Sequence, residues 1–323
     1  MEKENTGLPH VAVLMATYNG EKYLRQQVDS ILAQKNVRVS LYVRDDRSSD
    51  NTAAIINEYC TKAGNVFLLN SKPVQLNVTK NFFSIVRDLD LSGIDYISYS
   101  DQDDIWLEEK LDRAVKVINA NKVNCYASNL LRGDANGNII KHQSVINKGL
   151  FYLLNYKSNK QLPFDFYFEA ASAGCTLVLN NAAAKHLQQR IKEIYEAMPV
   201  NASHDWSTYA LTRLGGYQWF IDSRSYIIYR QHTDNAYGTN NGLKGVSKLL
   251  DLFTSGWYRK HILLIEDLYN TSEIHPAFIE KIRVYKPSSI ISRFGIGMAI
   301  CKFRRKPIHR VILFFLIMFG YFK

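Results

Sequence analysis

Apolar residues run from Val11 to Ala16 and then give way to the polar stretch Thr17-Tyr18-Asn19-Gly20. Leu24, Val28, Ile31 and Leu32 follow at intervals of about three and four, which predicts a helix with one buried stripe. The alternation repeats. Val39 to Val43 predicts a second strand, ended by Asp45-Asp46-Arg47-Ser48-Ser49-Asp50. A helix with Ile55, Ile56 and Tyr59 on its inner face comes next, and Ser49 or Asp50 can cap it. Val66 to Leu69 predicts strand three and Asn81 to Asp90 a helix. Tyr96 to Tyr99 predicts a fourth strand that runs directly into Asp101-Gln102-Asp103-Asp104. Such alternation predicts an α/β protein on a mainly parallel sheet, with ligands at the carboxyl ends of the strands. The polar clusters all fall at those ends.

The second half is less regular. Asp134 to Asn138 predicts a turn, Cys175 to Leu179 a strand and Ala182 to Ala197 a helix. Asp205 opens another helical stretch that stops at Gly215-Gly216. Tyr217 to Ile221 and Tyr226 to Tyr229 predict two strands, Arg230 to Gly238 a polar loop, and helices are expected from Gly242 onward. No internal repeat or low-complexity linker interrupts this pattern.

Composition narrows the class. The 323 residues are 46% hydrophobic and 22% charged, an ordinary globular balance with room for one large α/β domain and an appendage. Cys60, Cys125, Cys175 and Cys301 stand far apart without a CxxC, so neither a zinc ribbon nor a disulfide scaffold is expected, and a reduced compartment is. The polar stretch Met1 to Pro9 predicts no secretory leader.

The net charge of +10 has a location. Ten of the 40 Lys and Arg lie between Lys281 and Lys323, where there is no Asp or Glu, so the 30 that precede them balance all 30 acidic residues. The apolar run Val311 to Phe319 is shorter than the roughly 20 residues a bilayer span needs. Lys302, Arg304, Arg305, Lys306 and Arg310 beside Phe314, Phe315, Leu316 and Ile317 predict a helix lying on an anionic membrane surface, outside the chemistry. The competing reading is a buried C-terminal helix with basic flanks. Nucleic acid is not an expected partner, because the body shows no recognised motif and no interleaving of basic and aromatic residues.

Asp101, Asp103 and Asp104 place three carboxylates within four residues, and these repel one another unless a cation holds them together. Hard oxygen ligands suit Mg²⁺ or Mn²⁺ shared with substrate phosphates. An Asp in the Asp45-Asp46 pair can accept from a nucleobase N–H or from ribose hydroxyls, or serve the next helix as a cap. No GxGxxG follows the first strand and no GxxxxGK[ST] occurs, which argues against a dinucleotide cofactor and a P-loop. In His204-Asp205-Trp206 the Asp suits either a general base beside an apolar ring or an N-cap. His232, in Arg230-Gln231-His232-Thr233-Asp234-Asn235, suits a metal or phosphate ligand, or an ordinary surface histidine.

Taken in order, TYNGEKYLRQQVDSILAQ, DDRSSDNT, DQDDIWLEEKL, HDW and YRQHTDN resemble a family 2 inverting glycosyltransferase with the GT-A fold. Within that family the chain is similar to the rhamnosyltransferase-like branch that builds bacterial surface polysaccharides. The resemblance covers residues 10–240 and implies a GT-A domain over 1–240 with a helical extension over 241–323. It implies that Thr17, Tyr18, Asn19, Glu21, Lys80, Asp101 and Gln102 line the nucleotide sugar and that Asp46 reads the pyrimidine base. It also implies that Asp103 and His232 attend the metal, with Asp205 as catalytic base. The family commonly has a second aromatic after HDW, where this chain has Ser207.

The implied partners are a nucleotide-diphosphate sugar, dTDP-rhamnose first and a UDP-hexose as the alternative, and a lipid-linked saccharide acceptor. The implied place is the cytoplasmic face of the cell membrane. A nucleotidyltransferase would need a basic Gly-rich loop near the N-terminus, which is missing. A non-catalytic assembly subunit would have no need to keep Asp103 and Asp205.

Overall fold

The computed structural model describes residues 7–140, 161–198, 202–232, 243–269 and 275–323. Strand β1 (His10–Thr17) is buried along nearly its whole length, as befits a central strand with helices on both faces. Parallel neighbours β2 (Arg38–Asp45) and β4 (Tyr96–Ser100) flank it, and β3 (Val66–Leu68) lies outside β2. Helices α1 (Glu21–Leu32), α2 (Thr52–Lys62) and α3 (Val78–Asp88) make the crossovers. The sheet continues through β5 (Ile105–Trp106), β6 (Cys125–Gly133), β7 (Val178–Asn180) and β8 (Trp219–Arg230) in the order β3-β2-β1-β4-β7-β6-β8-β5. β7 runs antiparallel to β4 and β6, β8 is parallel to β6, and β5 is antiparallel to β8.

Strand order reverses between β1 and β4. The segments leaving those strands therefore diverge and open a crevice at their carboxyl ends.

Alternation along β1 sorts its side chains into two cores. Val11, Val13 and Met15 face the layer built by α1, α2 and α4 (Lys110–Asn121). Ala12 and Leu14 face the layer of α3, α5 (Asn181–Ile194) and α6 (His204–Leu214). That second layer also receives the C-terminal helices α7 (Leu243–Thr254), α8 (Trp257–Tyr269), α9 (Pro276–Arg283), α10 (Ile290–Gly297) and α11 (Pro307–Met318). Phe253, Ile262, Ile282, Phe303 and Leu313 belong to the same apolar cluster as Leu14. The expected boundary at residue 240 lies outside the described residues.

Some expectations need correction. In place of a strand from Cys175, Gly174–Thr176 forms a 3-10 turn and the strand is only Val178–Asn180. A Cβ on Gly174 would come within 2.0 Å of His204 Nε2, so that close turn requires glycine. The two strands expected after Tyr217 merge into β8, which bulges where Ile221 pairs Ala127 and Ser225 already pairs Asn129.

The tail differs most. Arg304 and Arg305 do not face a leaflet; they are buried, paired with buried Asp165 and half-buried Glu169. Arg305 Nη1 lies 3.1 Å from Asp165 Oδ2, and Arg213 Nη1 lies 2.9 Å from Asp165 Oδ1. Burial alone would push Glu169 up, but Arg305 and Arg304 outweigh it and hold this carboxyl below its ordinary value. Leu316 and Ile317, expected in the membrane, are buried in the protein as well. Buried acids need buried cations, and the tail supplies two of them. Among the described residues, no helix is long and apolar enough to cross a membrane.

Candidate active site

Thr17 and Asp45 end paired strands in register, and the Thr17 hydroxyl donates to Asp45 Oδ1 at 2.9 Å. The loop after β1 is then stitched to the loop after β2. Asn19, at φ 48°, receives the Ser49 amide on its Oδ1 at 2.8 Å and donates its own amide to Ser48 Oγ at 2.8 Å. Glu21 Oε2 accepts from the backbone and side-chain amides of Asn51, both at 2.8 Å. Gly20 and Glu21 donate their amides to Thr52 Oγ1 and Asp50 Oδ2 at 2.8 and 3.1 Å, so the open end of α1 is satisfied from thirty residues away. Asp46 accepts the Leu76 amide on both oxygens, at 2.8 and 3.0 Å, and burial raises its pKa.

Gln102 joins the two sides of the crevice. Its Oε1 accepts the Tyr18 amide at 2.9 Å, and its Nε2 donates to the Tyr18 carbonyl at 3.0 Å. A Cβ on Gly20 would sit 2.4 Å from Gln102 Oε1, so glycine makes the latch possible. Exposed Tyr18, Asn19, Glu21 and the Gln102 latch thus form one rim.

Below the rim lie the acids. Asp101, Asp104 and Cys175 each offer a ligand atom, all within 4.8 Å of one another. Burial raises Asp101 to about 7, with the charges of Asp103 and Asp205 adding to the effect. Asp104 is fully buried and pushed well above its ordinary value for the same first reason; its Oδ1 takes the Arg230 amide at 3.3 Å, and Oδ2 has no N–H or O–H partner among the described residues. Lys110 lies beneath, buried, with Nζ 3.0 Å from Ser98 Oγ and 3.4 Å from the Trp106 ring centroid, and burial lowers it to about 7. His232 Nε2 is 2.8 Å from Asp103 Oδ2.

Arg230, which sequence reasoning passed over, organises this floor. Its Nε donates to the Asp103 carbonyl at 2.8 Å, Nη1 to the Ala135 carbonyl at 2.8 Å and Nη2 to Gln26 Oε1 at 2.6 Å. The Tyr23 ring lies 4.6 Å from its guanidinium and 4.7 Å from the His232 ring. Arg230 shares a motif with His232, and Lys110 the DQDDIWLEEKL motif with Asp103, so proximity in sequence was the available signal; Cys175 gave none.

Asp205 is the second residue of α6, not its cap; that position belongs to Ser203. Its Oδ1 accepts from the Ser203 hydroxyl and, at 2.7 Å, from the Trp206 amide. His204 is not beside it in the crevice: its ring stacks on Phe82 at 4.2 Å and burial lowers its pKa. Lys80 stands apart from the acids too. It opens α3 with its amide on Asn77 Oδ1 at 2.8 Å and its ammonium 5.6 Å from the Tyr195 ring centroid.

Asp101, Asp103, Asp104, Asp205 and His232 therefore converge at the switch point, and among the described residues no Lys or Arg forms an ion pair with Asp101, Asp103 or Asp104. This set fits a hard divalent cation: several carboxylates that repel one another, an imidazole, and one buried carboxylate oxygen with no N–H or O–H partner among the described residues. Cys175 is a poor fourth ligand, since burial pushes its thiol well up.

Similarities to known proteins agree with this architecture. Over 96% of this chain and 87% of the other, the structure superposes with a TM-score of 0.53 on S. aureus TarS 1-349 in complex with UDP-GlcNAc, at 15% identity. The fold is that of the GT-A glycosyltransferases. The family model for Glycosyl transferase family 2 matches residues 12–176. The dTDP-rhamnosyl transferase RfbG of Shigella flexneri is 30% identical over 314 residues, covering 95% of this chain and all of that protein. An uncharacterized glycosyltransferase of Haemophilus influenzae is 29% identical over 136 residues, 42% of this chain and 52% of its own. This chain belongs to glycosyl transferase family 2.

Proposed function

We propose that this chain is an inverting, metal-dependent glycosyltransferase that moves L-rhamnose from dTDP-rhamnose to a lipid-linked saccharide. The observation that carries the reading is the group of carboxylates at the β1/β4 switch point, which among the described residues forms no ion pair with Lys or Arg and lies near enough to Asp205 for that charge to act on Asp101. Full-length similarity to a dTDP-rhamnosyl transferase supports the choice of donor. In this reading residues 1–240 carry the chemistry, and 241–323 are an extension on the acceptor side, at the cytoplasmic face of a membrane.

Asp205 takes the proton from the acceptor hydroxyl as that oxygen bonds to the anomeric carbon. The bond from that carbon to the diphosphate breaks on the opposite face, so configuration inverts and the nucleoside diphosphate leaves. One base suffices and no covalent intermediate forms. Asp101, Asp103 and His232 would hold Mg²⁺ or Mn²⁺, which when bound offsets the charge gathering on the departing diphosphate. Thr17, Tyr18, Asn19, Glu21 and Gln102 shape the nucleotide rim, Asp46 receives the N–H of the pyrimidine, and Lys80 belongs to the wider lining of the nucleotide sugar.

The test is a panel of nucleotide sugars against purified protein, with calorimetric binding and transfer read separately and with Mg²⁺, Mn²⁺ or chelator present. Asp103→Asn should keep the fold and abolish transfer. Undiminished turnover in that variant, or metal-independent turnover in the wild type, would overturn the metal assignment. Preference for a UDP-hexose would replace the donor and leave the mechanism standing.

A further inference from the structure

Of the 17 large apolar side chains that are exposed among the described residues, ten lie between Ile290 and Tyr321. They form faces rather than a scatter. On α10, Ile290, Ile291, Phe294 and Met298 follow one helical stripe, with Ile291 86% exposed, while Ile296 and Gly297 turn inward. On α11, Ile308, Val311, Phe315 and Phe319 follow the outer stripe, with Phe319 71% exposed, while Leu313 and Ile317 enter the core.

The two helices are fixed to each other. Arg293 Nη1 donates to the Met318 carbonyl at 2.6 Å, and Gly297 sits near enough to Met318 and Phe314 that an added Cβ would touch both, at 3.7 and 3.8 Å. Phe315 also stacks on Phe319 with ring centroids 6.2 Å apart. This is a rigid apolar surface of a kind soluble monomers rarely leave uncovered.

Charge identifies the occupant. Four exposed lysines flank these stripes along the chain: Lys281 and Lys286 before α10, Lys302 between the helices and Lys323 after α11. No acidic residue occurs anywhere from Lys281 to Lys323. A second copy docking here would bring like charges together, whereas an anionic bilayer takes aromatic and aliphatic side chains into its interface and lysines among its headgroups.

We infer that the outer face of α10 and α11 is a membrane-docking surface for anionic lipid, with α10 inserting as deeply as α11. This inference rests on the lipid-linked acceptor proposed above only for its purpose; the surface stands on its own observations. It relocates the contact. Arg304 and Arg305, expected to bind headgroups, are internal struts, and the anchor is an apolar plane with exposed lysines before, between and after its helices in the chain.

The experiment is flotation of the full-length protein with vesicles of phosphatidylcholine, with and without phosphatidylglycerol, at low and high salt. Wild type should float with the anionic vesicles and partly persist at high salt. Ile291→Ser/Phe294→Ser/Phe315→Ser/Phe319→Ser, all exposed positions, should keep the wild-type melting transition and lose at least about a hundredfold in vesicle affinity. Lys286→Ser/Lys302→Ser/Lys323→Ser should lose the preference for phosphatidylglycerol. Transfer to a short water-soluble acceptor should be unchanged in both, so a failed docking surface and a failed transferase reading give different results. Wild-type flotation by the quadruple variant overturns the inference. So does a wild-type dimer that the quadruple variant converts to monomer without any change in vesicle binding. If the quadruple variant fails to fold, Ile291→Ser alone, at the most exposed position, must still weaken flotation.

Discussion

Two groups of buried and half-buried acids sit in this molecule, and they are treated in opposite ways. Asp165 and Glu169, at the foot of the C-terminal helices, are enclosed by Arg213, Arg304 and Arg305. Asp101 and Asp104, at the ends of the sheet strands, receive no Arg or Lys ion pair among the described residues, and burial leaves both raised. The first group is finished by the chain itself. The second is left short of positive charge in a crevice that opens to solvent. An acid that only holds the fold together can be neutralised by an arginine, whereas one that must meet a cation or a sugar from outside has to stay available.

The most damaging change to the finished region is removal of residues 302–323. Phe303, Leu313, Ile317 and Phe322 are buried, each contributing about 1.5–3 kcal/mol, and loss of Arg304 and Arg305 would strand two acids. The total rivals the 5–15 kcal/mol that ordinary domains possess, so the truncated protein should be unfolded by circular dichroism. A soluble truncation with a native melt would put the tail back outside the core.

In the open region the largest effect is on rate. Asp205→Asn should bind donor normally and lose about 10²–10⁴-fold in turnover. Equal turnover would reduce Asp205 to a residue that merely satisfies the start of α6.

Arg305→Met returns to the finished region and should cost about 3–5 kcal/mol in urea unfolding, since it leaves Asp165 and Glu169 undercompensated. A neutral result would mean Arg213 and Arg304 alone are enough.

Acid should act on the same region. Burial pushes His261 and His309 down to about 4, from an ordinary value of about 6.5. Their contribution is complete above pH 6.5 and is lost as pH falls toward 4, because the unfolded chain takes up the protons first; each is worth at most about 3 kcal/mol. The urea midpoint should fall over that window, and His261→Gln/His309→Gln should flatten the fall.

The smallest effect sharpens the contrast most. Asp101→Asn, measured without divalent metal, should leave stability unchanged or raise it by about 1 kcal/mol, since it removes a charge that burial, Asp103 and Asp205 all disfavour. Asp165→Asn should lower it. Identical losses from both would erase the distinction drawn between the two groups.

Much of the sheet was legible because both signals were local: apolar runs for β1, β2 and β4, and polar clusters where each run stopped, acidic after β2 and β4. Position at the end of β4 then places Asp101 and Asp103 at the switch point, whereas Asp205 reaches them from the start of α6. Arg230 and Lys110 were not legible as buried groups, since long cations usually lie in water; Arg230 depends on Gln26, 204 positions away, and Lys110 on Ser98 of β4. The tail misled for the same reason. A count of ten basic residues carries no mark that two of them answer Asp165 and Glu169, some 135 to 140 positions earlier. The α10 stripe lies outside the short run that drew attention to α11, although its spacing is plain once both helices are seen to share a face.

The reciprocal ties between the loops after β1 and β2 set an order of assembly. The first amides of α1 find their acceptors on Asp50 and Thr52, and Glu21 in turn holds Asn51, so neither helix start is complete while the chain is still shorter than about fifty residues. A nascent chain paused before Asp45 has β1 and the α1 sequence, yet lacks what closes their junction. In hydrogen-exchange terms, the amides of Gly20, Glu21 and Asn51 should gain protection together, in one step, when β2 docks beside β1, and an early-folding α1 with a protected Gly20 would show the opposite order.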